Sequence, residues 1–600
     1  MLLGLFLLIS GARLWLIDRF GNATPFWDQW DHEVSIIKAS LDGTLSPMLF
    51  FQAQNEHRIA FTQALVLLLF RANKQWDPIL EMVAQLPLQV LTIVALVSMT
   101  ARFMSGLGKS ALAGFAACLG ILPFGWENTL WGDQSCFYFM KLLGIVVVWL
   151  CWRYEALSAR WWLGAFVAFA SLFTMAGGVF SILAVIGFLA VRLILERRKE
   201  WRKQLAALVI LSAIVLFGLA ITPHVAPPGT MAATSFKSFF WALTGILSWP
   251  CNAHWPCLII QAPFIVLALI TLFRRVPFND GRWFVIVAGT SFWIHAVATA
   301  SLRVEGWGAS RYRDSWSMLL IIACSCLYFL HRSLGVRLRF LFYPFAAAWI
   351  LTCVSGLLDN AVNLWPRELM DKRSSMLEME NNVREYLLTG NATYLQGRIP
   401  YPNQRILRQR LSLGGIRRIL PFNLIDSNPP LLPVKQTVTG DGFIQSGYPA
   451  GMPPMDKAVL GSYGKKGLQS QGAIALQFAV PRGTREVSLQ VAGSPDARGM
   501  HLRVKEHHGA SYSIAPPIDP GDHWQTVSIN LKSKSTGFTI FGKDNSDQAW
   551  LAFSMPAISN GHTLGQWARS LANGSSYFIE FGSMLLIVGA LGCMRHVPES

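Results

Sequence analysis

Long apolar runs separated by short polar stretches dominate the chain as far as residue 358. The segment 205–223 (LAALVILSAIVLFGLAITP) carries no charged side chain over a length that spans a bilayer core. Comparable runs at 2–17, 79–101, 110–124, 137–152, 161–176, 178–195, 257–273, 283–301, 315–330, 340–358 and 574–594 bring the predicted crossings to twelve. Between the last two runs the pattern changes. Residues 359–429 read as helical, with SSMLEMENNVREYLL followed by the Pro-punctuated IPYPNQRILRQRLSLGGIRRILPF. From 430 to 560, short alternating runs (AIALQFAV, EVSLQVAG, HLRVKEH, WQTVSINL, GFTIFG) are separated by Gly, Pro and Asp turns. That pattern predicts an antiparallel β-sandwich of jelly-roll or carbohydrate-binding-like type. The expected architecture is a multi-pass α-helical membrane domain (1–358) with a first external loop (18–78), an external helical linker segment (359–429), the sandwich (430–560) and a C-terminal crossing (573–595).

The polar positions orient this arrangement. Basic stretches at 102–109, 153–160, 192–203 (with ERRKEWRK), 274–282 and 331–339 mark cytoplasmic loops by the positive-inside rule. The apolar run 59–70 is then too short to cross, and counting it would invert every later loop. It is predicted to lie on the outer membrane surface. Residues 18–78 thereby become an external loop with two juxtamembrane helices, near 25–41 and 57–71. The other external pieces are 125–136, 224–256, 302–314 and 359–572.

Composition agrees. The chain is 52% hydrophobic and 14% charged, whereas an average soluble domain is about one-quarter charged. The net charge of +17 sits in the loops between apolar runs, so it is no nucleic-acid footprint. No cysteine falls between 359 and 572, which excludes a disulfide-stapled external scaffold. Cys251 and Cys257 either pair or stay as free thiols. The run 2–17 lacks a basic lead and an A-x-A-like site, and reads as a retained helix.

Four external stretches carry candidate chemistry. In TPFWDQWDHE, Thr24 and Pro25 form a helix start. The helix would place Asp28, Asp31, His32 and Ser35 on one face, opposite Phe26, Trp30, Val34, Ile37 and Leu41. Trp27 and Trp30 suit the headgroup level, and the carboxylates would face a polar cavity. The plainer alternative is that the two aspartates complement the helix dipole. In NEHRI, Glu56, His57 and Arg58 offer a base, a titratable ring and a phosphate binder, or an ordinary solvated helix start. GWENTLWGDQS gathers Glu127, Asn128, Asp133 and Gln134 beside Trp126 and Trp131. Carboxylates and indoles together suit sugar recognition, and interfacial anchoring would account for the indoles alone. RVEGWGASRYRDS places Arg303, Arg311 and Arg313, with Tyr312 between the last two, on the outer side. Their forks match phosphate, with Glu305, Asp314 or lipid headgroups as the alternative partners. If a divalent cation takes part, Asp28, Asp31 and His57 are its candidate ligands, although no strong metal-ligand spacing is present. Such a constellation suits a lipid-phosphate-linked sugar: arginines on the phosphate, surface helices and tryptophans admitting the polyprenyl chain, a carboxylate deprotonating an acceptor hydroxyl.

The layout resembles the GT-C class of polytopic glycosyltransferases. It is most similar to a group of bacterial membrane glycosyltransferases carrying motifs like FWDQWDHE, NEHRI, GWENTLWGDQS and SRYRD, then IRRILPF, a β-sandwich and a last membrane helix. The resemblance covers nearly the whole length. It implies a first-loop acid as base or metal ligand (Asp28 or Asp31), a second-loop acid at Glu127 with Asp133 next, and donor-phosphate arginines at Arg311 and Arg313. It also implies a polyprenyl-phosphate-linked sugar donor, a glycan or lipid acceptor, and a bacterial inner-membrane location with the site and sandwich in the periplasm. The chain lacks a WWD motif and a D-x-D or D-x-E pair in the second loop, which favours metal-independent monosaccharide transfer. The rival functions are a transporter or flippase of lipid-linked saccharide, for which Lys141, His295 and Glu580 are scattered candidates, a non-catalytic polysaccharide assembly subunit, and a polysaccharide polymerase or ligase.

Overall fold

A computed structural model describes residues 1–595 apart from 197–199, 224–230, 426–429, 454, 456, 483, 508, 510, 532–534 and 560–562. Arg197, Arg198 and Lys199 of the predicted cytoplasmic block, and 224–230 of a predicted external piece, lie outside the described residues.

Among the described residues, eight helices are long and apolar enough to cross a membrane, or nine if the bent pair Gly106–Gly120 and Pro123–Thr129 forms one span. The chain is thus a helical membrane protein carrying a separate antiparallel β domain. The twelve predicted crossings are not all met, for physical reasons. Leu2–Phe20 carries Arg13, Asp18 and Arg19. The run at 161–176 yields only the 13-residue helix Ala159–Ser171 before a 3-10 turn at Ala176–Val179. Cys257–Phe273 has 17 residues. The helix Ala60–Asn73, with 14, is also below crossing length.

The last helix, Ser575–Arg595, packs along Leu2–Phe20, so the two ends of the chain meet. A Cβ on Gly11 would stand 2.8 Å from Ile579 N, so the absence of a side chain is what lets the backbones approach. Near the other edge, Val336–Asp359 runs through a single π-helical turn (Asn360–Leu364) into Trp365–Thr389. That second half is amphipathic, and it leaves the apolar zone. All nine cysteines are free, Cys251 and Cys257 included.

Residues 359–425 of the expected linker segment contribute to a core of their own with the first loop. Val383, Leu387, Leu407, Leu411, Ile416 and Leu420 share one core with Trp30, Val34, Ile37, Val66, Phe70 and Trp76 of the first loop. Two stretches distant in sequence therefore fold as a single helical layer. The first-loop helix is broken where a continuous one was predicted: a 3-10 turn at Trp27–Trp30 precedes His32–Leu41. Trp27 opens the turn at φ 49°, a conformation uncommon for a bulky residue, and Asp31 separates the turn from the helix. The Trp27 N–H donates to Pro400 O at 2.7 Å.

The β domain has strands β1 (Lys435–Gly440), β2 (Ile444–Gln445), β3 (Val459–Gly461), β4 (Gly472–Ala479), β5 (Glu486–Gly493), β6 (Met500–Glu506), β7 (Ser511–Ser513), β8 (Gly521–Asn530), β9 (Gly537–Asp544), β10 (Leu551–Ser554) and β11 (Ala557–Ile558). One sheet runs β1-β4-β9-β6-β7, the other β11-β5-β10-β3-β2 with β8 also on β5. Alternate residues of β4 and β9 (Leu476, Phe478, Phe538, Ile540) meet Leu489, Val491 and Phe553 of the second sheet in one core. All five predicted strand segments are present. β5 is buried on both faces, because helix Trp365–Thr389 covers its sheet: Arg384 Nη1 donates to Gln490 Oε1 at 3.3 Å, and Arg373 Nη2 to Gln525 Oε1 at 2.5 Å. Phe538 is fully buried, so Phe538→Ala should cost about 3–5 kcal/mol. Thermal unfolding of the full-length protein in detergent, read by proteolysis within 430–560, should show that loss while the helical circular-dichroism signal persists.

Candidate functional site

The bend at Trp27 decides where the WDQWDHE side chains point. Trp30 turns fully inward, its Nε1 donating to Pro25 O at 2.8 Å and its ring edge-on to Trp76 at 5.1 Å. The expectation that Trp30 sits at the headgroups or binds substrate is therefore corrected: it is core. Trp27 stays exposed. Asp31 faces away from Asp133 and His32, accepting from the Tyr401 hydroxyl at 3.0 and 3.1 Å, with Arg410 Nη2 at 3.8 Å. Asp28, half-buried, stays on the inner side.

His32, Glu33 and Asp133 meet behind Asp28. His32 Nε2 lies 2.5 Å from Asp133 Oδ1. Glu33 Oε2 accepts from Trp76 Nε1 at 2.6 Å and from Gln29 Nε2 at 3.2 Å, and Gln29 Nε2 also donates to Glu81 Oε2 at 2.7 Å. Glu81 can reach this position because residue 132 is glycine: a Cβ there would stand 2.7 Å from Glu81 Cβ. Burial, then the neighbouring Asp133 charge, raises the Asp28 carboxyl to about 6 against the opposing pull of His32. Burial likewise raises Glu33 to about 7, with the His32 charge opposing. For His32 burial acts downward, but Asp133 beside it overrides that and lifts the imidazole to about 9.

Arg303, Arg311 and Arg313 are each paired with a carboxylate. Arg311 Nη1 donates to Glu127 Oε1 at 2.7 Å. Arg313 holds Glu368 through two bonds of 2.7 and 2.8 Å, and Trp126 Nε1 donates to the same carboxylate at 2.7 Å. Arg303 pairs with Glu56. Each of the three arginines expected to bind phosphate has a carboxylate partner, because a guanidinium partly withdrawn from water requires a counter-charge. Glu127 is engaged for the same reason. The alternative partners Glu305 and Asp314 are not the ones used: Asp314 accepts from Asn128 Nδ2 at 2.8 Å and lies 3.8 Å from Lys141 Nζ.

NEHRI ties the first loop to its surroundings. His57 Nδ1 accepts the Ala176 N–H at 3.3 Å, and Arg58 Nε donates to Ile221 O at 2.8 Å. Burial lowers His57 to about 4, only partly opposed by Asp133. A cation site made of Asp28, Asp31 and His57 is therefore not assembled, since Asp31 points elsewhere and the ring is engaged. Trp131 packs edge-on against Phe26 at 5.2 Å and donates to its carbonyl at 3.1 Å. Gln134 and Tyr312 are buried.

Sequence reasoning set His32 beside Asp28 without a role, and passed over Glu33, Gln29, Glu81, Glu368 and Lys372. Lys372 places Nζ 3.4 Å over the Phe26 ring. Its helix reads as a charged linker, so nothing local marks it. A cavity of about 540 Å³ lies between Asn22, Glu380, Asn423 and the Tyr512–Pro517 edge of the β domain, and Asp28, Glu127, Arg311 and Lys372 are not among its lining residues. Asn22, on its wall, donates to Glu380 Oε2 at 2.7 Å and accepts the Thr24 N–H at 2.8 Å. Comparison with known protein families, curated proteins and solved structures finds no match for this chain.

Gly132→Ala should displace Glu81 and lower stability by about 1–3 kcal/mol, read as a fall in thermal midpoint in detergent. His57 sets a pH dependence of known sign. Its folded value, about 4, lies below the unfolded value of 6.5. Its contribution is thus complete above pH 6.5 and lost as pH falls through 4, by up to about 3 kcal/mol. His57→Asn, which keeps an acceptor for Ala176 N–H, should flatten the drop in thermal midpoint between pH 7 and pH 4.

Proposed function

We propose that this chain transfers a sugar from a polyprenyl-phosphate-linked donor to a glycan or lipid acceptor at the periplasmic face of a bacterial inner membrane. One observation carries the reading: Asp28, a half-buried carboxyl raised to about 6, stands where the membrane helices meet the external layer, with Arg311 close enough to act on its charge. A base whose pKa approaches neutrality is suited to taking a hydroxyl proton. In the proposed step Asp28 accepts the acceptor's O–H proton and the oxygen attacks the anomeric carbon. The bond from that carbon to the donor phosphate breaks, and the phosphate leaves with the electron pair. Arg311 and Lys372 meet the charge that develops on it. Glu127 orients Arg311, and Asp31 anchors the first loop to the segment around Tyr401.

A second reading, transport of a lipid-linked saccharide, draws on the Lys141–Asp314 pair inside apolar helices. Transfer from fluorescent polyprenyl-phosphate sugars by the purified protein distinguishes the two. Asp28→Asn should lower the rate by about 10²–10⁴-fold, and Asp31→Asn by much less. An Asp28→Asn rate equal to wild type removes the base assignment. Labelled saccharide crossing a proteoliposome membrane, with no donor consumed, replaces transfer by transport.

A further inference from the structure

One ligand-type atom from each of His32, Glu33 and Asp133 falls within 4.8 Å of the other two, and all three side chains are buried. Proximity of acids does not by itself define a site, but Glu33 adds an independent observation. Its carboxylate is fully buried, and Oε2 is fixed by Trp76 and Gln29, whereas Oε1 has no hydrogen-bond partner. His32 Nδ1 is likewise without a hydrogen-bond partner, while Nε2 is 2.5 Å from Asp133 Oδ1. Leaving a buried carboxylate oxygen without donor or cation is costly. Donors fixed to the non-ligating oxygen are what orients a metal-binding carboxylate.

We propose that His32, Glu33 and Asp133 hold one divalent first-row transition cation, beside Asp28. One imidazole nitrogen and two carboxylate oxygens match the charge and the mixed N/O preference of zinc or manganese. To admit the ion, the His32–Asp133 contact opens from 2.5 Å to about 3.3 Å, the separation of two tetrahedral ligands bonded at about 2.0–2.1 Å. Three protein ligands leave a coordination position open. If the preceding reading holds, a donor phosphate oxygen takes that position, supplying positive charge that the carboxylate-paired arginines give only in part. This ligand set differs from the Asp28, Asp31 and His57 suggested by sequence.

The test uses full-length, tag-free protein in detergent, stripped with a chelator, incubated with Zn²⁺ or Mn²⁺, desalted and assayed for metal by mass spectrometry. Wild type and Asp441→Asn, a distant surface variant, should retain about one equivalent of one of the two ions, with a raised thermal midpoint. Glu33→Gln and His32→Gln, checked for folding by size-exclusion elution, should retain at least tenfold less and show no thermal shift. Should both variants misfold, stoichiometric retention and the thermal shift in wild type decide. Absence of retention by wild type, or equal retention by folded variants, overturns the proposal. Metal retained without sugar transfer defeats the functional reading alone. Transfer at full rate by protein that retains no metal defeats the cation alone.

Discussion

A carboxylate withdrawn from water at the rim of a membrane bundle needs a donor or a cation for each oxygen. Gln29 is the point at which this chain meets that demand. Its Oε1 accepts the Phe26 N–H at 3.0 Å, and its Nε2 serves both Glu33 and Glu81. The single amide thereby joins the first loop to helix Pro78–Ala101. Through Gly132, which makes room for Glu81, it also sets the distance to the loop bearing Asp133. The positions of His32, Glu33 and Asp28 all follow from this joint.

The same demand accounts for the arginines and for the way the layers are held. Arg303–Glu56, Arg311–Glu127, Arg313–Glu368 and Arg569–Asp77 each tie segments far apart in the chain. Asp77 also caps helix Pro78–Ala101, accepting from the Ile79 N–H at 3.1 Å, so one carboxylate serves both a helix start and a tertiary tie. Polar side chains at this boundary are thus mostly structural cross-links, and a group such as Asp28 that is left partly free stands out against them.

What was legible in the sequence was what local periodicity encodes. The apolar runs, the short helix Ala60–Asn73 and the alternation of β4, β5, β6, β8 and β9 are properties of neighbouring residues. The number of spans was less legible, because hydropathy does not reveal where a run breaks, as it does between Ser171 and Ala176. In the candidate site, Asp28 and Asp133 were found from their place beside indoles in external loops. Trp30 was misread because an indole has the same local pattern at an interface and in a core, and its burial depends on Val383 and Leu387. Lys372 was invisible: its relation to Phe26 exists only once the Trp365–Thr389 helix folds back on the first loop.

By itself, the sequence determined that this is a helical membrane protein with an appended β domain, and that acids and indoles gather at the membrane edge, since both follow from composition and spacing. Only the tertiary structure decided which of those acids converge. Asp28 and Asp31 are three residues apart and look equivalent in the sequence. They part at the junction between the Trp27–Trp30 turn and helix His32–Leu41, where Tyr401 and Arg410 hold Asp31. Those partners come from a segment remote in the chain, so no pattern local to WDQWD encodes the difference.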